Sequence, residues 1–101
     1  MTVYMVARIQ IDDRERYGQY EAGFMEIFER YDGQLLAVDE APEVMEGNWD
    51  VTRTVLIGFP SAEAAKAWYD SEEYQALAQH RFASSRGDAV LLSGLDEAPP
   101  G

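Results

Sequence analysis

Residues 53–86 read RTVLIGFPSAEAAKAWYDSEEYQALAQHRFASSR, and this stretch decides the fold. Its first part is a strand pattern, opening at Val51, with Val55, Ile57 and Phe59 on one face and Thr54 and Leu56 on the other. Pro60 removes a backbone donor and stops the strand. Ser61 is placed to cap a helix over residues 62–69, with Glu63 in its first turn. Asp70-Ser71 interrupts that helix, and Ser71 caps a second one led by Glu72 and Glu73. On the second helix Tyr74, Leu77, Ala78, Arg81, Phe82 and Ser85 share one broad face, and Gly87 is the predicted stop. A strand over residues 88–93 follows.

On the N-terminal side, residues 3–11 alternate. Val3, Met5, Ala7, Ile9 and Ile11 form one face, and Tyr4, Val6, Arg8 and Gln10 the other. Asp12 is the predicted cap of the next helix, with Glu15 as its capping-box partner. Tyr17, Tyr20, Phe24, Ile27, Phe28 and Tyr31 then recur at helical period, and Gly33 reads as the C-terminal stop. Residues 34–39 (QLLAVD) form a strand. Residues 40–50 are irregular, with a short edge strand open at 43–46, and such a long connection is often functional.

The order is β-α-β-β-α(α)-β, the split βαβ or ferredoxin-like arrangement of the α+β class. Right-handed crossovers place every helix on one face of a four-stranded antiparallel sheet. Yet the second, third and fourth strands are apolar on both faces, whereas a sheet with one wet face alternates. A bare second face would be a large apolar patch, so the sequence predicts a homodimer with the two sheets packed against each other. One domain is expected over residues 1–95, with a flexible tail at 96–101.

Composition narrows the functional classes. Eight basic against nineteen acidic residues give a charge of −11, which repels nucleic acid and anionic membranes. No cysteine is present, which excludes thiol catalysis and thiolate metal sites, and a single histidine excludes a multi-histidine metal site within one chain. No stretch approaches the roughly 20 apolar residues of a membrane span, and the N-terminus is a strand rather than a leader, so a cytoplasmic protein is expected. Phosphate-binding glycine motifs and a nucleophile elbow are missing, and no cofactor or metal is expected.

Seven of the eight cations are arginine, so any arginine that points inward is of interest. Two readings stand for each candidate. Arg81, between Leu77, Ala78 and Phe82, either binds a substrate anion or pairs with Glu46, Asp50 or another acid. Arg53 is either a second anion contact or an edge cation neutralised by Asp50 or Glu46. Trp68 and Tyr74 either line a pocket or belong to the core. Trp49, beside Glu46-Gly47 in the long connection, is either a substrate contact or a lid on the core. Glu46 and His80 are the two candidates for moving a proton, against a turn acid and a surface histidine.

These residues also carry a resemblance. Tyr17 and Tyr20, Glu46-Gly47 with Trp49, Arg53, Phe59-Pro60-Ser61 with Glu63 and Ala65, Trp68-Tyr69, Ser71-x-Glu73-Tyr74-Gln75, Arg81 and a closing strand ending at Gly94 run through most of the chain. In them it resembles the bacterial family named domain of unknown function 1330, within the dimeric α/β-barrel superfamily. It departs from that pattern at Asp32, Gln34 and Glu72, and His80 stands outside it. The resemblance implies a ferredoxin-like subunit and a barrel-like dimer, and it brings no established activity. Its superfamily includes cofactor-independent monooxygenases and isomerases, so one expectation is such an enzyme acting on a small, aromatic or carboxylated metabolite. The alternative is a non-catalytic dimeric module that binds a metabolite or a partner.

Overall fold

The computed structural model describes residues 2–95. The elements are β1 (Val3–Ile11), α1 (Arg14–Phe28), β2 (Gln34–Asp39), β3 (Arg53–Phe59), α2 (Ala62–Tyr69), α3 (Glu72–Ser84) and β4 (Ser85–Ser93). The strands form one antiparallel sheet in the order β2-β3-β1-β4, which is the ferredoxin-like fold. The tail expected at 96–101 lies outside the described residues. Among the described residues no helix is long and apolar enough to cross a membrane.

Register sorts the strand residues into two layers, because cross-strand partners share a face. Met5 pairs with Ile57 and Leu91, and these turn toward the helices. Val6 pairs with Leu56 and Val90, and these turn away. The core fills the space between the sheet and the helices, with Tyr17, Phe28, Phe59 and Trp68 almost fully buried. The outer layer carries Tyr4, Val6, Leu36, Leu56, Val90 and Leu92, and among the described residues no helix covers it. Val90 stays 53 % exposed and Leu92 48 %, values that on an uninterrupted apolar surface mark an interaction face.

Both serine caps form as the sequence predicts. Ser61 accepts from Ala64 N at 3.1 Å and Ser71 from Tyr74 N at 3.2 Å. The cap of α1 is Asp13 rather than Asp12, accepting from Arg16 N at 3.1 Å. Pairing of β1 with β4 extends to Ile11 opposite Ser85. Asp12 is thereby held at the start of β4, where both its carboxylate oxygens accept from Arg86 at 2.9 and 3.0 Å.

Neither predicted stop glycine ends a helix. Helix α1 closes at Phe28 with Glu29 as its cap. Gly33 is needed for another reason: a Cβ there would run into the rings of Phe28 and Phe59. Helix α3 closes at Ser84 and passes directly into β4. Its last carbonyls are taken up by serine side chains, Ser84 Oγ donating to His80 O and Ser85 Oγ to Arg81 O, each at 2.6 Å. Gly87 sits inside β4, where a Cβ would overlap the Arg8 carbonyl. Gly87→Ala therefore has to displace the β1–β4 ladder, and a loss of about 2 kcal/mol is expected in urea denaturation. A loss below about 0.5 kcal/mol would show that the strand yields freely.

Phe82, expected on the inner face of α3, is 48 % exposed. The inward row runs through Tyr74, Ala78 and Arg81, and Phe82 lies beyond it. Residues 43–46 form no strand.

Candidate functional site

Between the sheet and the three helices lies a cavity of about 220 Å³. Its floor is apolar, from Met5, Val55 and Ile57 of the sheet, and Phe24 and Leu35 close its sides. Its polar groups come from three elements. Helix α1 supplies Tyr17, Tyr20 and Glu21, strand β3 supplies Arg53, and Arg81 and Tyr74 come from α3. Trp68 of α2 completes the wall.

Local structure explains why these side chains converge. Arg53 opens the inward row that continues through Val55, Ile57 and Phe59, so its side chain enters the helix layer. Tyr17, Tyr20 and Glu21 are spaced by three and four residues and share one face of α1. Arg81 stands two turns after Tyr74 on α3.

The two arginines differ in their charge balance. Arg53 is only 16 % exposed and meets two acids through one nitrogen, with Nη1 at 2.9 Å from Glu40 Oε2 and 3.2 Å from Glu21 Oε2. Glu40 also accepts from both Nη atoms of Arg14 at 2.9 Å. The Arg14 and then the Arg53 guanidinium hold the Glu40 carboxyl below the usual carboxylate range. The partners expected for Arg53, Asp50 or Glu46, are not the ones it uses. Arg53 turns toward the helices, whereas the connection that bears those acids passes to the other side of the sheet.

Arg81 has no carboxylate within salt-bridge distance among the described residues. The pairing with Glu46 or Asp50 is therefore not formed. The guanidinium lies 4.7 Å from the Phe82 ring centroid and 5.7 Å from that of Tyr20. The Tyr20 and Tyr74 hydroxyls share a buried hydrogen bond of 2.8 Å. Burial first, and Tyr74 second, push the Tyr20 phenol far above its ordinary range. Burial likewise raises Tyr17, against the pull of Arg53 and Arg81. These phenols stay neutral at physiological pH and supply no negative charge to Arg81.

Two buried donors are orphaned. Among the described residues Trp68 Nε1 and Arg53 Nε find no partner, and Trp68 is 2 % exposed. Trp68 and Tyr74 are at once core and pocket residues, their rings 4.2 Å apart.

The remaining candidates lie elsewhere. Trp49 donates from Nε1 to Thr54 Oγ1 at 2.7 Å, and Arg8 sits 5.2 Å from its ring centroid. Thr54 and Arg8 belong to the outer layer, so Trp49 is on the opposite face of the sheet from the cavity. Glu46 is exposed beside Gly47, whose φ of 76° is the left-handed turn that glycine permits. His80 accepts at Nδ1 from Arg16 Nε at 3.4 Å on the surface between α1 and α3. None of the three lines the cavity. Glu21 and Glu40 are the site residues that the sequence reading passed over. The four-residue step from Tyr17 to Glu21 was the available signal for the first.

Comparison with known proteins agrees with this fold. The profile of the family described as Domain of unknown function (DUF1330) matches residues 2–95. No curated protein matches the chain. A protein of unknown function from Rhodopseudomonas palustris superposes with a TM-score of 0.78 at 18 % identity, over 94 % of this chain and 83 % of that one. The cofactor-independent oxygenase SnoaB from Streptomyces nogalater is similar at a TM-score of 0.69 and 15 % identity, over 98 % of both chains. A dimeric ferredoxin-like protein of unknown function from Thermobifida fusca gives 0.66 at 11 % identity, over 93 % of this chain and 92 % of that one. At such identities these likenesses concern the fold.

Proposed function

The chain belongs to the domain of unknown function 1330 family, and from its own geometry we propose that it binds a small, ring-bearing anion in the cavity between sheet and helices. One observation carries this reading: Arg81 borders a largely apolar cavity, and among the described residues no carboxylate lies within salt-bridge distance of it. A cation removed from water is costly unless an anion accompanies it. A dry protein cavity of about 150 Å³ takes up benzene, so about 220 Å³ suits one ring, or two fused rings, with a small acidic group. The test is a thermal-shift and calorimetric panel of aromatic monocarboxylates such as benzoate and 2-naphthoate, with Arg81→Met as control. Absence of binding at millimolar concentration by every member would overturn the reading.

The same chemistry supports a second reading, as a cofactor-independent enzyme. A guanidinium in a dry pocket stabilises a developing enolate or phenolate as readily as a carboxylate. The fold shared with a cofactor-independent oxygenase is compatible with such a role. Turnover of a bound acid or phenol, followed by oxygen uptake and product chromatography, separates the enzyme from the binding module.

The working unit in this reading is a homodimer packed through the outer sheet layer. The uncovered Leu36, Val90 and Leu92 support it, as does the dimeric state named for a similar structure. Light scattering after size exclusion should give about twice 11.4 kDa. Leu56→Arg, a charge at the centre of that layer, should yield the monomer. A wild-type monomer at micromolar concentration would overturn the dimer.

A further inference from the structure

We propose that Glu21 restricts the cavity to ligands with a single negative charge. This rests on the anion-site reading above and adds a selectivity that the reading does not contain. Arg14 and Arg53 carry two positive charges, and Glu40 and Glu21 carry two negative ones, all within one chain of ion pairs at 2.9 to 3.2 Å. That group is balanced, and of the charged residues lining the cavity Arg81 is the one without a carboxylate partner among the described residues.

The location of Glu21 turns this balance into discrimination. Glu21 borders the cavity together with Arg53. A second acidic group on the ligand would meet Arg53 already held by two carboxylates, and would face the Glu21 carboxylate as well. Like charges brought together across a binding site are strongly unfavourable, and Glu21 is 36 % exposed, which lessens the effect. The ligand class is therefore an aromatic monoanion in which any second polar group is uncharged.

Terephthalate and monomethyl terephthalate provide a pair that differs by one charge at similar size. Calorimetry at pH 7.5 should show the monoester bound about tenfold or more tightly than the diacid by the wild-type protein. Glu21→Gln should strengthen diacid binding about tenfold and change monoester binding less than about threefold, while Glu21→Asp keeps the wild-type preference. Equal binding of the two probes by the wild type, or an unchanged ratio in a folded Glu21→Gln protein, would overturn the role of Glu21 and leave the anion site standing. Failure of the wild type to bind either probe, or binding indifferent to Arg81→Met, overturns the anion site and this inference with it. If Glu21→Gln does not fold, the wild-type ratio decides alone.

Discussion

Trp68→Ala is expected to lower the stability of this protein by about 3–5 kcal/mol, the range for removing a large aromatic from a core. Trp68 is 2 % exposed. Its ring meets those of Phe28 at 5.5 Å, Phe59 at 5.6 Å and Tyr74 at 4.2 Å, and so joins α1, α2, α3 and β3. The site cannot collapse around an alanine, because the adjoining cavity is already open and would simply enlarge. Domains of this size hold about 5–15 kcal/mol in all, and each kcal/mol is worth about 4–8 °C. A fall in Tm of at least about 12 °C is therefore expected in a thermal melt followed by circular dichroism. Trp68→Phe isolates the polar contribution. It keeps most of the ring volume and deletes an Nε1 donor that has no partner, so a loss below about 1.5 kcal/mol is expected. A Trp68→Ala loss under about 1 kcal/mol would mean that the aromatic cluster does not hold the helices to the sheet.

What was legible in the sequence was whatever depends on neighbours along the chain. Ser61 and Ser71 announce their helices because a cap needs only a hydroxyl three residues before a free N–H. The row Arg53, Val55, Ile57, Phe59 gives the inner face because strand period is local. The order of elements then allows very few topologies, and the ferredoxin-like sheet follows. What was not legible depends on contacts across the fold. Asp12 and Asp13 are equal as caps until β4 arrives and engages Asp12 through Arg86. Gly33 and Gly87 look like helix stops, but the first makes room for two phenylalanine rings and the second for a neighbouring carbonyl. Arg53 meets Glu21 and Glu40 rather than Asp50 or Glu46, its neighbours in sequence, because only folding brings the first two near. The connection at 40–52 starts among the helix-side ion pairs at Glu40 and reaches the outer layer at Trp49. It passes around the sheet edge, and no local pattern encodes that path. The site is in this sense a remainder of the core: the same aromatic stripe that the periodicity reveals forms its wall, and the unbalanced charge is visible only after every acid has been placed.

That unbalanced charge makes opposite demands on stability and on binding, and Arg81→Met separates them. In the free protein the Arg81 side chain has two favourable ring contacts, with Phe82 and Tyr20, each worth about 0.5–1 kcal/mol at partly exposed sites. Against them stands the loss of hydration of a half-buried guanidinium without a carboxylate, a cost of several kcal/mol for a fully buried ion and a fraction of that here. Methionine keeps the length and flexibility of the side chain and removes the charge. The free variant should therefore be as stable as the wild type, or more stable by about 1 kcal/mol, in urea denaturation. A residue holding a structural ion pair behaves in the opposite way, since its loss strands the partner's charge and costs about 3–5 kcal/mol. Binding of an aromatic monocarboxylate should fall about 100-fold, as expected when a charge-assisted contact of about 2–3 kcal/mol disappears. The stabilisation that a saturating ligand gives the wild type should vanish with it. A destabilised apo variant with unchanged affinity would assign Arg81 to the scaffold, whereas a stable variant that no longer binds would establish it as the anion anchor of the cavity.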